Sequence, residues 1–202
     1  MLSKLLIGIS LGFTIFLMSG CASYKEQYID VKPVDSYLLT AQSAGVSLAA
    51  DPYDTKEKAE QGFYVDVTEK GYYPIHLIVQ NDSDDKILIL RDNVEMVDLS
   101  GNSLAPVRST VMSQDLEKNK MAYALLGFGI FSYMSADEAN KKMESDWRDK
   151  ELPEQLIIPQ GRKANAFVYF KLKDGQSLKG DKLIVEVEKL STSERFPLQI
   201  SL

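Results

Sequence analysis

Two β-strands joined by a turn are predicted by residues 75–90, IHLIVQNDSDDKILIL. In the first half, Ile75, Leu77 and Val79 alternate with other side chains, and this period of two is typical of a half-buried strand. The cluster NDSDD at 81–85 consists of residues that favour turns, and an apolar run follows it. We therefore expect one buried face on each of two neighbouring strands.

Further strands are predicted on both sides of this pair. They cover residues 63–68, 94–99, 164–172, 183–187 and 196–200, and the last two are expected to pair with each other. Seven or eight strands separated by turns predict a mainly β fold, an antiparallel β-sandwich. The layout resembles the immunoglobulin-like sandwiches of envelope proteins in a general way, without their Cys-Trp-Cys signature. This resemblance implies an architecture and no activity.

The first 21 residues, MLSKLLIGISLGFTIFLMSGC, form a separate unit. One basic residue, Lys4, precedes an apolar run of about 14 residues and small residues, which is the pattern of a secretory signal. The tetrapeptide Met18–Cys21 resembles the lipobox of bacterial lipoproteins, with Met18 in place of the usual Leu. The resemblance implies that residues 1–20 are a removed signal peptide and that Cys21 becomes the lipidated first residue.

Cys21 is the only cysteine in the chain, so it has no intramolecular disulfide partner. Three acyl chains on this residue would anchor the protein stably. Because residue 22 is Ala and not Asp, the family's sorting rule favours the outer membrane, on its periplasmic side, in a Gram-negative cell. In a Gram-positive cell the anchor would be the plasma membrane. The alternative is an ordinary secretory signal that happens to contain a cysteine.

Composition limits the partners of the mature chain. The formal charge of the 202 residues is −6, and removal of Lys4 with the signal makes it −7. This balance argues against nucleic acid or an anionic lipid surface as the main partner. Residues 21–50 are polar and are expected to form a lipidated tether, with residues 51–202 as a single domain. A short helix is predicted over 53–61, after Asp51 and Pro52.

An insertion at 113–152 interrupts the strand pattern. Its second half predicts an amphipathic helix with acid-to-base pairs such as Asp146–Lys150 and an apolar stripe that includes Trp147. This helix is expected to lie on the surface of the sandwich through Trp147, and a partner-binding helix is the alternative. Its first part, residues 121–134, is uncharged and apolar on all sides. This segment is short for a membrane span. Three interpretations remain: a buried core element, a dip into the nearby membrane, or a site for a protein partner or self-association.

Catalytic motifs are not evident in the sequence, and we expect no enzyme, cofactor or metal site. The single histidine, His76, is expected on the strand face opposite Ile75, exposed or satisfied by neighbours. The acidic residues 82–85 lack the glycine and distal glutamate of a calcium loop. Residues 45–49, GVSLA, lack the last glycine of a nucleophile elbow. Paired carboxylates cannot be recognised from sequence alone.

The leading hypothesis is a lipid-anchored envelope protein that works without catalysis, through contacts with an envelope protein partner, in a structural or assembly role. The alternative is a binding module for a lipid or another apolar ligand, and a hydrolase with unrecognised carboxylates is the third hypothesis. The candidate membrane or partner contacts are Leu125, Leu126, Phe128, Ile130, Phe131, Tyr133 and Trp147.

Overall fold

The computed structural model describes residues 24–117, 133–173 and 176–202, and it is mainly β. Two antiparallel sheets pack face to face, so the predicted β-sandwich is confirmed. The first sheet has the strand order β1 (Leu39–Ser43), β2 (Val46–Pro52), β3 (Tyr72–Asn81), β7 (Arg162–Lys171). The second sheet has the order β5 (Ser103–Leu104), β4 (Ile87–Val97), β8 (Lys182–Lys189), β9 (Arg195–Ser201), and β6 (Gln155–Ile158) pairs with the first half of β4.

The predicted alternation produces the core between the sheets. Ile75, Leu77 and Val79 of β3 are buried there, opposite the apolar residues of the second sheet. The expected pairing at the end of the chain is also confirmed, since Leu183 lies opposite Ile200 in the β8–β9 register. Packing of two such apolar faces is the main source of stability in a sandwich.

The two strands predicted over 87–90 and 94–99 are one long strand, β4, which ends at Val97. Its register with β8 shifts between Ile89 and Val94. Such a bulge bends a strand and redirects its side chains, which is why the period of two fails here. On its other side, β4 pairs with β6 before the bulge and with β5 after it.

In the described parts of the chain, three helices form a third layer on the outer face of the first sheet: α1 (Lys56–Phe63), α2 (Ser109–Glu117) and α3 (Tyr133–Lys150). The insertion that carries α2 and α3 enters and leaves beside β7. The amide of Val107 donates to the carbonyl of Tyr169 at 2.7 Å, and the amide of Leu152 donates to the carbonyl of Phe167 at 2.7 Å. The insertion therefore covers what would be an open sheet edge.

Two predictions near residue 60 are wrong. The helix begins at Lys56, with Thr55 as its N-cap, because Asp51 and Pro52 complete β2. The strand expected over 63–68 does not form, since Phe63 ends α1. Phe63 and Val67 are both buried against the helical layer, so their apolar character reflects that layer and not a sheet.

The tether predicted over 21–50 is also shorter than expected. Residues from Leu39 onward belong to β1 and β2, and Val46 and Leu48 are fully buried in the core. The polar residues of this stretch, such as Gln42 and Ser47, made it resemble a linker, although Val46 and Leu48 flank Ser47 with the period of two of a strand.

Candidate functional site

An aromatic cluster, here called the second core, fills the space between the first sheet and the helices. Its aromatic members are Tyr24, Tyr53, Phe63, Tyr72, Trp147, Phe167 and Tyr169. Phe63 lies at the centre, with ring centroids 6.0 Å from Trp147, 5.1 Å from Phe167 and 5.8 Å from Tyr169, all near edge-on. Pairs of this geometry each add about 0.5–1.5 kcal/mol beyond their burial. The helical layer is thus fixed to the sheet.

Tyr24 belongs to this core, although only two residues separate it from Cys21. Its side chain is buried, and its hydroxyl donates a hydrogen bond to the carboxylate of Asp146 on α3. Lys150 binds the same carboxylate at 2.6 Å and donates to the carbonyl of Gly62 at 3.0 Å. We call Tyr24, Asp146 and Lys150 the N-terminal latch, because they join the start of the described chain to α1 and α3.

The electrostatics of the latch follow from its burial. Burial raises the pKa of the Tyr24 hydroxyl well above its usual range, and the hydrogen bond to the Asp146 carboxylate and the charge of that carboxylate raise it further.

The ion pair between Asp146 and Lys150 was predicted from its i,i+4 spacing. The side chains of Asp146 and Lys150 are only 9% and 14% exposed, so this is a largely buried ion pair and not a surface salt bridge.

Residues 24–37 continue from the latch as a strap along the outer face of the first sheet. Ile29 packs against the second core beside Gly62. A Cβ atom at Gly62 would lie 2.7 Å from the ring of Tyr53, so only glycine allows this close approach. Further on, the 3₁₀ helix Val34–Ser36 contacts β2 and β3. The strap is therefore part of the domain.

The candidate contact residues do not form one described surface. Leu125 to Phe131 lie outside the described residues, as does the side chain of Tyr133. Trp147 is fully buried in the second core, which excludes it as a membrane or partner contact. Met143 and Trp147, the described members of the apolar stripe of α3, pack in the second core, where the Trp147 ring lies edge-on to Phe63. This corrects the assignment of Trp147 to the contact surface.

His76 lies on the face of β3 opposite Ile75, as predicted, but the helical layer covers that face. The histidine is 1% exposed and stacks on Phe167, with ring centroids 4.5 Å apart. Its Nε2 atom is 2.9 Å from Oδ1 of Asn165, and its Nδ1 atom has no hydrogen-bond partner within the described parts of the chain. Burial lowers the pKa of the imidazole. The neutral ring serves as a core side chain.

A second polar contact, missed by the sequence analysis, lies at the bulge of β4. Arg91 is buried there and binds Glu151 at 3.0 Å, just beyond the end of α3. The other carboxylate oxygen of Glu151 accepts hydrogen bonds from the amide and hydroxyl of Ser109, the first residue of α2. This ion pair therefore ties the second sheet to both helices of the insertion.

An open groove of about 540 Å³ crosses the outer face of the first sheet near the strap. Gln42, Ser47, Gln80 and Lys163 form one polar row in it, because they lie opposite one another in successive strands. Such side chains can hydrogen-bond a polar ligand, and they do not favour the apolar-ligand alternative. In the parts of the chain that the structure describes, no group of acidic, histidine or cysteine residues could hold a metal ion.

Among the described residues, none of the helices has both the length and the apolar character needed to cross a bilayer.

Sequence reasoning missed Tyr24, Glu151 and the burial of His76. The break in alternation at Arg91–Asn93 was a usable signal for the bulge. No comparable signal marked Tyr24, because the residues around it are polar and its partner is remote in sequence.

Comparisons with known proteins add little to this geometry. No protein-family model matches the chain, and no curated protein matches it. The yjhA protein from Bacillus subtilis, known as a crystal structure, is similar at a TM-score of 0.39 and 10% identity, over 80% of this chain and 95% of that chain.

Proposed function

We propose that this protein is a lipid-anchored component of the bacterial cell envelope that acts without catalysis, through contacts with an envelope protein. The observation that carries the proposal is the lipobox at Met18–Cys21, whose cysteine is the only one in the chain and stands three positions before the docked Tyr24. Anchor and domain would then form one continuous unit, as a structural or assembly role at a membrane requires.

The partner contact is proposed to lie on the solvent side of α3. Lys142, Ser145 and Arg148 are exposed there, while Met143 and Trp147 hold the other side of the helix against the second core. A helix fixed in this way presents its polar face rigidly, so little side-chain or backbone ordering opposes binding. The apolar segment 121–134 is a second candidate for the partner contact, and it is included on the basis of its sequence alone.

The anchor is tested by Cys21→Ser in the native host. We expect the precursor to accumulate and the protein to leave the membrane fraction, because the acyl acceptor is gone. In a Gram-negative host, fractionation should place the unaltered protein in the outer membrane. Ala22→Ser is the matched control and should leave processing intact. Unchanged membrane attachment of Cys21→Ser would refute the anchor.

The partner contact is tested by photo-crosslinking in intact cells. A photoreactive residue at Lys142 should give a discrete adduct with another envelope protein. The same residue at Gln199, which is exposed on the outer face of the second sheet, is the control and should give none. Adducts of the same size from both positions, or from Gln199 alone, would count against α3 as the contact.

A further inference from the structure

The distance between the anchor and the domain follows from the latch. From Cys21 to Tyr24 the chain has three Cα–Cα steps, which reach at most about 11 Å. A flexible tether over 21–50 would instead have a root-mean-square reach of about 30 Å. A domain of this size has a radius of gyration of about 16 Å. The connection is thus shorter than the radius of gyration, so the end of the domain that carries Tyr24 stays within about 11 Å of Cys21 and the domain cannot turn freely about its anchor.

We propose that the surface around Tyr24 and Tyr64 lies against the headgroup layer of the bilayer that holds Cys21. This inference rests on the proposed function, because it requires the lipid on Cys21. The ring of Tyr64 lies edge-on to Tyr24 with centroids 5.5 Å apart, and its residue is 40% exposed at the end of α1. The short connection places this end of the helical layer nearest the membrane.

The chemistry of the surface suits a lipid headgroup layer. Tyr64 and Tyr28 expose aromatic rings with polar tips, and Tyr28 is 91% exposed on the strap. Tyrosine is amphipathic and is enriched where an apolar layer meets water. Lys25, next to the latch, is exposed and can approach lipid phosphates. The second sheet is then the side of the domain away from the membrane, since the first sheet separates it from the helices.

The test uses the full-length lipidated protein in phosphatidylcholine vesicles that contain headgroup spin-labelled lipid. Because the Cys21 thiol carries the lipid, a new cysteine is the only free thiol for a fluorophore. Gln61→Cys, exposed one helical turn before Tyr64, is compared with Gln199→Cys on the outer face of the second sheet. Packed sheets lie about 10 Å apart, so the two probes differ strongly in depth.

Quenching of the probe at 61 should exceed that at 199 several-fold. A flexible Gly-Ser insert of about 12 residues after Ser23 should remove the difference, because the tether then exceeds the domain radius. Equal quenching at both positions in the protein without the insert would overturn the proposed orientation while leaving the anchor intact. Mass analysis that finds no lipid on Cys21 would instead overturn the proposed function and the orientation with it.

Discussion

The hydroxyl of Tyr24 donates a hydrogen bond to the carboxylate of Asp146, although the two residues are 122 positions apart in the sequence. The contact joins the start of the described chain to a helix of the insertion. Lys150 and the carbonyl of Gly62 extend it to α1. The strap and the insertion therefore stabilise each other, and loss of either should loosen the helical layer while the core between the sheets keeps its own contacts.

Removal of the latch hydroxyl should destabilise the protein. We expect Tyr24→Phe to lower the free energy of unfolding by about 1.5–3 kcal/mol, the value of a hydrogen bond to a charged group. Urea unfolding of the lipid-free mature chain measures this. Tyr28→Phe is the matched control and should change stability by less than about 0.5 kcal/mol, because Tyr28 is 91% exposed. Equal effects of the two variants would show that the latch contributes nothing.

Stability should fall in alkaline solution because of the buried tyrosines. Burial raises the pKa of Tyr53 to about 12, and burial raises the pKa values of Tyr24, Tyr72 and Tyr169 further. Above pH 10 the unfolded chain loses these protons and the folded protein keeps them. The stabilisation is therefore complete below pH 10 and is lost as the pH rises towards the folded-state values.

Between pH 10 and its folded-state pKa, each such tyrosine lowers the free energy of unfolding by about 1.4 kcal/mol per pH unit. Urea unfolding at several alkaline pH values gives the total slope. Tyr24→Phe should make this slope less steep by the contribution of one proton, about 1.4 kcal/mol per pH unit. A slope that the substitution leaves unchanged would mean that Tyr24 ionises equally in the folded and unfolded states.

The sandwich was predictable because its strands obey local rules. Each strand of the β8–β9 pair alternates apolar and polar residues, since only one face of the second sheet is covered. The turn at 81–85 was equally clear, and Asn81 uses its side-chain amide there to bind the carbonyls of Asp85 and Ile158. Local composition was sufficient at these places.

The helical layer and the latch were not predictable, because they depend on which surfaces meet. The helices cover part of the outer face of the first sheet, so Ala49 and Ile78, which lie on that face, are buried. The expectation that the helix lies on the sandwich through Trp147 agrees with the burial of that residue, whereas its assignment as a candidate contact does not. The sequence contains the apolar stripe of α3, but it does not say which surface the stripe covers.

Loss of the buried ion pair at the β4 bulge should be costly. Arg91→Met leaves the carboxylate of Glu151 without its buried partner, and we expect a loss of about 3–5 kcal/mol in unfolding free energy. Arg195→Met is the control. Its partners Glu186 and Glu188 lie on the exposed face of the second sheet, so its loss should cost no more than about 1 kcal/mol. Thermal unfolding of both variants measures the two losses. Equal losses would mean that the buried pair contributes no more than an exposed one.

The single histidine allows a direct test of the covered sheet face. Burial lowers the pKa of His76 while the hydrogen bond that the ring donates to Oδ1 of Asn165 raises it, and burial is the larger effect. The ring signal in a proton NMR titration should therefore have its midpoint below the ordinary value of about 6.5, and the urea-unfolded protein supplies the reference. No assignment is needed, because the chain has no other histidine.

The same shift fixes the acid dependence of stability. Below pH 6.5 the unfolded chain binds a proton that the folded protein does not, so the stabilisation is complete above pH 6.5 and falls as the pH drops towards the folded-state pKa. Asn165→Ala should lower the NMR midpoint further, because its Oδ1 atom accepts a hydrogen bond from the protonated ring. A midpoint at or above 6.5 in the folded protein would mean that water reaches His76. The second core would then not seal the outer face of the first sheet.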